Sequence, residues 1–515
     1  MSDASSEDRW WASPWMHAAA LALVVLAVFS RYGVTEYPVT NDRAYFTYLG
    51  QAVLRGEPYY RTTFMGYPPL AALLSAGSMW LGRWFDVPTY IAPRYLSVVA
   101  GMASVMLVYA VTRRATGSAW SGILAGIVLA AFGHFGWLTV ASLEPKSLVI
   151  VFTLATCVSL QSRRWLWAGV AAGAAATCWQ PAGLIPLACF PVVLWGGRSR
   201  LWRAVSRYVL RGFLATIPSV LYLSLTESWG DFWMRSVVIT ASVQLPTAGT
   251  NVFFWLQVVE RNFRTEIIFF QAAALGFAWF IVRAPWGGIR RVGADWLDPR
   301  QAGVPLLTLV WSSFNCVEFG SLVDMLPMLP LVAFWVGWLA HCVVKTVVSI
   351  PSLRPRPKRA ISYLMIGALL MSAPIYGFAD TVRYAPLMTL NRQKALVERI
   401  IEPAGPDGLV MAVRAEAIYV LSERQSPIRF LRIEIAHQRF LHLVYPKGCD
   451  GVVEEIIASR PAVMVMRQYR YSSYCMRLIE RALVGANYRR EEINWRERAP
   501  IGWMIRWSVF TDATL

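Results

Sequence analysis

Eleven blocks of mostly apolar residues govern what this chain can fold into: approximately 15–33, 90–111, 118–138, 147–160, 165–179, 181–195, 208–225, 265–283, 303–317, 323–344 and 360–378. A helix crossing a bilayer needs about 20 predominantly apolar residues. Backbone in hydrocarbon must satisfy its own hydrogen bonds, which leaves helices as the spanning form for blocks of this kind. Of the 515 residues, 56% are hydrophobic and 16% charged, whereas soluble domains carry about 45–50% apolar and about 25% charged residues. A wholly soluble fold is excluded. The expectation is an α-helical polytopic membrane protein with about 11 transmembrane helices.

The formal charge of +18 would suggest nucleic acid in a soluble protein; here its placement sets orientation. Asp3, Glu7 and Asp8 leave only Arg9 as a basic flank for the first block, so it reads as a retained anchor rather than a cleaved signal. With the N-terminus in the cytoplasm, five later inner loops hold seventeen basic residues, among them Arg113, Arg114, Arg163, Arg164, Arg198 and Lys345, against Asp295 and Asp298. The opposite loops are mixed in sign. No nucleic acid is expected as a partner; membrane lipids are. Residues 68–82 are apolar, but counting them as a span would reverse the parity of every later loop, so they are expected to lie at the outer interface. In 44–56, Tyr45, Tyr48, Leu49, Ala52 and Val53 recur at helical spacing before Gly56, which predicts a second interfacial helix.

From Asp380 the pattern turns soluble, with 20 Lys/Arg and 15 Asp/Glu to Leu515. Residues 408–414 and 460–468 read as buried strands and AEAIYVLSER between them as a helix. The domain expectation is a membrane unit over 1–379 and a small α/β domain over 380–515. Eleven spans from an inside start place that domain outside, which in a bacterium means the periplasm. Disulfides persist in oxidising compartments, so Cys449 and Cys475 are candidates for a bridge. The other five cysteines lie in or near spans and read as small buried hydrophobes. Without a CxxC, an HExxH or a His cluster, a zinc site is not expected.

Chemistry-bearing residues concentrate in the outer loops. Asp42 precedes the first interfacial helix and reads as a helix cap or as a functional carboxylate. Arg43 reads as a headgroup contact or a site cation, and Tyr67-Pro68-Pro69 as a helix start. Glu144 stands at the same outer level, before Pro145 and Lys146. An ionisable residue beside apolar spans is a functional candidate, and the start of a helix suits its charge. Gln180 beside Trp179 reads as a sugar-hydroxyl ligand or as polar packing, and Asp324 opens the tenth block.

The order of these elements resembles the GT-C fold membrane glycosyltransferases, the relatives of protein O-mannosyltransferases, aminoarabinose lipid A transferases and Rgt-type transferases. The resemblance runs through the first outer loop, TEYPVTNDRAYFTYLGQAVLRGEPYYRTTFMGYPPLAALL, then RYLSVVAGMASVMLVYAVTRRATG at 94–117, ASLEPKSLVIVF at 141–152, WQPAGLIPL at 179–187, LVDMLPMLPLVAFWVG at 322–337 and the outer-domain run from Glu398. It implies a GT-C-like fold and transfer of a hexosyl or pentosyl group, with inversion, from a polyprenyl-phosphate donor. The acceptor would be an envelope glycan, lipid or protein on the periplasmic face of a bacterial inner membrane. Asp42 matches the family's catalytic acidic residue and would act as general base. Arg43, Tyr67, Glu144, Lys146 and Gln180 would contact substrates; Glu144 would orient the acceptor or help hold a divalent ion, a cofactor that the resemblance does not fix. Relatives carry Lys or His where this chain has Tyr67, so Arg43, Arg61 or Lys146 would have to meet the donor phosphate. Two other readings remain: a lipid or sugar transporter, for which internal repeats and midplane polar groups are expected, and an inactive glycan-binding scaffold.

Overall fold

In a computed structural model of the chain, the structure describes residues 13–39, 41–58, 60, 66–241, 256–257, 259–260, 262–283, 296–301, 303–317, 322–349, 388–427, 441–443, 445–468, 474–496 and 504–513. Ten of the eleven apolar blocks coincide with helices; the block 360–378, Arg61 and the expected domain boundary at 379/380 lie outside the described residues. In chain order the membrane part contains α1 (Pro14–Ser30), α2 (Asn41–Leu54), α3 (Leu70–Arg83), α4 (Ala92–Thr116), α5 (Ala119–Ala131), α6 (Gly133–Ala141), α7 (Pro145–Gln161), α8 (Trp165–Ala176), α9 (Leu184–Gly196), α10 (Leu201–Leu214), α11 (Ile217–Leu225), α12 (Ile267–Arg283), α13 (Val304–Val317) and α14 (Leu329–Ser349). Three helical stretches, Ala92–Thr116, Arg198–Leu225 and Val323–Val347, are each long and apolar enough to cross a membrane, and α5 with α6 pass that test together across a 65° bend. Six further apolar helices of 10–17 residues complete this multi-pass architecture.

Local chemistry sets the boundaries. Gly117 closes α4 at φ 72°, its N–H returning to the Arg113 carbonyl, and Ser118 then caps α5 through the Ser121 N–H. Proline opens α1, α4 and α7 at their first turns. The third block breaks at Phe132, whose ψ of 109° is extended, and α6 leaves α5 at that bend. The seventh block begins earlier than its apolar run suggests: Arg203 and Arg207, two of the seventeen basic residues expected in inner loops, lie within α10. They fall on helix because the residue that follows each of them, Ala204 and Tyr208, is buried against the bundle. The tenth block opens with a 3-10 turn, Leu322–Met328, before α14.

Within the bundle, α8 and α10 approach at backbone distance. A Cβ on Gly169 would fall 2.0 Å from the Tyr208 carbonyl oxygen, and one on Gly173 would fall 2.3 Å from that of Gly212, so small residues make this crossing. The two ends of the bundle differ in character. Arg114 bonds to Val158 O and Ser162 Oγ, and Gln161 to Val111 O and Arg300 O, so the basic turns after α4 and α7 meet at one end. Asp42, Glu144 and Asp324 gather at the other. The predicted interfacial segments are both short helices, α2 and α3, packed on one another.

The C-terminal part is built from α15 (Leu390–Ile401), β1 (Val410–Val413), α16 (Ala417–Ser422), α17 (Cys449–Ser459), β2 (Val463–Gln468), α18 (Tyr474–Gly485), β3 (Tyr488–Arg496) and β4 (Met504–Asp512). The strand order is β1-β2-β4-β3, parallel between β1 and β2 and antiparallel elsewhere. Alternate residues serve two cores. Met411, Val413, Met464, Met466 and Phe510 pack with Val452, Ile456 and Ile479 of α17 and α18. Val410, Ala412, Val463, Val465 and Val509 share a second core with α15 and α16, and that core continues into Tyr45, Tyr48, Leu49 and Ala52 of α2. A disulfide joins Cys449 to Cys475 and so ties α17 to α18.

Candidate active site

The segment from Arg31 to Val39, which leads from the end of α1 toward α2, is held by its backbone. Arg94, 1% exposed at the start of α4, donates from Nη1 to the carbonyls of Val34 (2.9 Å) and Tyr37 (2.6 Å). Asp42 then falls within the first turn of α2 rather than before it, where a carboxylate interacts favourably with the helix dipole. Arg43 turns into the protein and is 5% exposed. Its guanidinium lies 3.6 Å from the Trp137 ring centroid and 5.7 Å from that of Tyr37, an arrangement that stabilises a cation while keeping water away. Trp137 Nε1 donates to the Tyr37 hydroxyl, which fixes the two rings that receive it.

The turn between α6 and α7 brings the second carboxylate. Glu144 is 2% exposed and stands immediately before Pro145, in extended conformation. Its carboxyl is pushed up to about 7, first by burial; Arg43 and then Lys146 oppose the rise, whereas Asp42 and Asp324 reinforce it. These five side chains therefore form one electrostatic cluster. Lys146 Nζ lies 2.5 Å from Asp324 Oδ1 in the 3-10 turn before α14 and 4.8 Å from the Trp179 ring centroid. Trp179 in turn stacks on Trp311 of α13 at 5.7 Å and 7°. With Glu144 protonated, Arg43 and Lys146 balance Asp42 and Asp324.

Tyr67 and Gln180 frame this cluster. Tyr67 packs edge-on against Phe46 at 5.0 Å, and its carbonyl accepts from the Tyr60 hydroxyl at 2.5 Å. With Phe46, Leu49, Pro68, Leu143 and Pro145 it lines an apolar pocket adjoining Glu144. Gln180, read as a ligand of sugar hydroxyls, has its amide nitrogen engaged with backbone instead, donating to Gly66 O (2.5 Å) and Ser236 O (3.2 Å). Lys146, read as a phosphate contact, is engaged by Asp324. Among the described residues no group of three or more His, Cys, Asp or Glu is arranged to hold a metal ion, and the three carboxylates are interleaved with two cations.

Sequence reading missed several residues that build the site. Trp137 and Tyr37 receive Arg43, Arg94 holds the approach to Asp42, and Arg235, 4% exposed in the π-helical turns Trp233–Ile239, neighbours the Ser236 that touches Gly66. Only Arg94 carried a signal, a cation in the first turn of an apolar span.

Comparison with known proteins agrees with this architecture. Residues 64–221 match the sequence model of the DolP-mannose mannosyltransferase family, a segment that includes Tyr67, Glu144, Lys146 and Gln180. A dolichol phosphate-mannose mannosyltransferase of Haloferax volcanii is 27% identical over 226 residues, 44% of this chain and 48% of that protein. The match thus spans about half the length of the curated relative. Among solved structures, ArnT from Cupriavidus metallidurans bound to undecaprenyl phosphate superposes with a TM-score of 0.61 at 15% identity, over 96% of this chain and 97% of ArnT. The oligosaccharyltransferase AglB of Archaeoglobus fulgidus, in complex with an inhibitory peptide and a dolichol-phosphate, gives a TM-score of 0.59 at 12% identity, over 99% of this chain and 75% of AglB. The chain is a membrane-embedded, multi-pass protein with the fold of the GT-C glycosyltransferases.

Proposed function

We propose that this protein is a mannosyltransferase that takes mannose from a polyprenyl-phosphate donor and attaches it to an acceptor hydroxyl, with Asp42 as general base. The observation that carries the reading is the clustering of Asp42, Arg43, Glu144, Lys146 and Asp324 at one end of a GT-C bundle. The family match and the archaeal relative support mannosyl phosphate lipid as donor. The working face is the one opposite the basic turns, the periplasmic side of a bacterial inner membrane.

In this reaction the acceptor oxygen attacks the anomeric carbon as the bond from that carbon to the phosphate oxygen breaks. The electron pair leaves with the polyprenyl phosphate, and the acceptor proton passes to Asp42. Displacement from the opposite face inverts the anomeric carbon, and phosphate is a weak enough base to leave without a strong acid. A donor phosphodiester brings one negative charge to a cluster that is neutral when Glu144 is protonated. Its arrival therefore favours the protonated form, which donates a hydrogen bond to a phosphate or acceptor oxygen.

Purified protein tested with polyprenyl-phosphate mannose and an envelope extract from a deletion strain should incorporate mannose, and Asp42→Asn should lose at least about 10²-fold, the lower range for a removed general base. Retained transfer by a correctly inserted Asp42→Asn protein would defeat the assignment of the base. Mass spectrometry of the labelled product identifies the acceptor.

A further inference from the structure

We propose that Gln393, in the C-terminal domain, is a positioning residue for Asp42. Its side-chain amide makes two bonds to one backbone residue: Oε1 accepts from Val39 N at 2.7 Å, and Nε2 donates to Val39 O at 2.7 Å. Gln393 is 0% exposed, and a buried polar network satisfied on every side fixes a single local geometry. Val39 lies three residues before Asp42. One turn of α15 earlier, the Leu390 N–H bonds to the Glu36 carbonyl at 2.7 Å.

The segment entering α2 is thus gripped from two bodies of structure. Arg94 of the membrane bundle holds the carbonyls of Val34 and Tyr37, and α15 of the outer domain holds Glu36 and Val39. Farther along, α2 is seated on the same domain. The Tyr48 hydroxyl accepts from Ser426 N at 3.0 Å, and Gln51 Nε2 donates to the Val420 carbonyl at 3.2 Å. These contacts hold α2 to the outer domain at its entry and along its length, so the location of the Asp42 carboxylate against Glu144 depends on them. Gln393 touches no reacting atom; it acts through Val39.

The proposal rests on Asp42 as base, and the experiment separates the two ideas. In the full-length protein, Gln393→Met keeps the volume and removes both bonds. With polyprenyl-phosphate mannose as probe and the deletion-strain extract as acceptor, kcat should fall about 10- to 100-fold, the scale of a misplaced catalytic group, while the donor KM moves less than about twofold because the donor sites are untouched. Hydrogen exchange of the 36–42 amides should accelerate while that of β1 and β2 is unchanged. The variant Gln393→Glu, which keeps the acceptor for Val39 N–H, should recover part of kcat. Combining Gln393→Met with Asp42→Asn should cost no more than Asp42→Asn alone. Unchanged exchange and unchanged kcat in Gln393→Met would overturn the positioning role. A fully additive double variant would do the same. An active Asp42→Asn protein would instead overturn the base, whatever the exchange data show.

Discussion

The ammonium of Lys146 and the carboxylate of Asp324 are in contact at 2.5 Å with side chains 10% and 14% exposed, joining the start of α7 to the turn before α14. Removing one member of such a pair leaves the other charge poorly solvated. Lys146→Met should lower stability by about 3 kcal/mol, the lower end for a broken buried pair, read as a fall in Tm in detergent. Lys146→Met combined with Asp324→Leu should regain most of that stability without regaining transfer. Equal Tm for the single and double variants would sink the pairing as a source of stability.

Glu144 predicts a pH signature of definite sign. Its carboxyl is raised to about 7 in the folded protein, so between the ordinary carboxylate range and about 7 the folded state holds a proton that the unfolded chain has released. Stability therefore falls as pH rises through that window and levels off above it. Substitution by Gln removes the titrating group, so Glu144→Gln should flatten this part of the Tm–pH profile. On the proposed mechanism it should also extend activity to higher pH, because the amide retains an N–H donor when the wild-type carboxyl has ionised. An unchanged alkaline limb in Glu144→Gln would count against a donor role for the protonated acid.

Gly66 is predicted to tolerate no side chain. A Cβ there would stand 2.2 Å from Ser236 Oγ and 2.6 Å from Ser236 N, and Gln180 bonds both backbones at that point. Gly66→Ala must push the Tyr67-Pro68-Pro69 turn away from the π-helical segment. Transfer should drop by about 10²-fold, as for a misplaced active-site element. Ser236→Gly should restore little of it, since the backbone clash persists. Wild-type rates in Gly66→Ala would show that the turn can shift freely.

The Cys449–Cys475 bridge closes a 26-residue separation between α17 and α18. Replacing both by Ser should cost about 2–4 kcal/mol in the C-terminal part. Mass spectrometry of unreduced protein should find the two cysteines linked and Cys157, Cys178 and Cys189 as thiols. A reductant-insensitive unfolding transition would remove the stabilising role.

What the sequence revealed follows from which interactions leave a pattern in it. Apolar length marked the helical blocks, and the parity of basic loops placed Asp42, Glu144 and Asp324 at one end. Continuous Val/Met runs marked β1 and β2, because both faces of those strands are covered. β3 was illegible: YRREEINWR is a charged edge strand, paired only with β4. The grips of Arg94 and Gln393 were also invisible, because their partners are backbone atoms at Tyr37 and Val39, which any residue presents. Gln180 was legible as polar and near the site, yet the direction of its amide depends on Gly66 and Ser236, far apart in the chain.

The core shared by α2 and the β-sheet fixes an order of assembly. Tyr45, Tyr48, Leu49 and Ala52 precede α3 to α14 in the chain, whereas Val397, Tyr419 and Val465, which share their core, follow them and are made later. Because domains form as the chain emerges, α3 packs on α2 early, while the side of α2 that meets the sheet waits for its partners until the intervening helices have been made. On the positioning role proposed for Gln393, Asp42 acquires its final setting only once α15 and the sheet have folded against α2. A chain that lacks α15, even one correctly threaded through the membrane, leaves the entry to α2 without the grip of Gln393 on Val39.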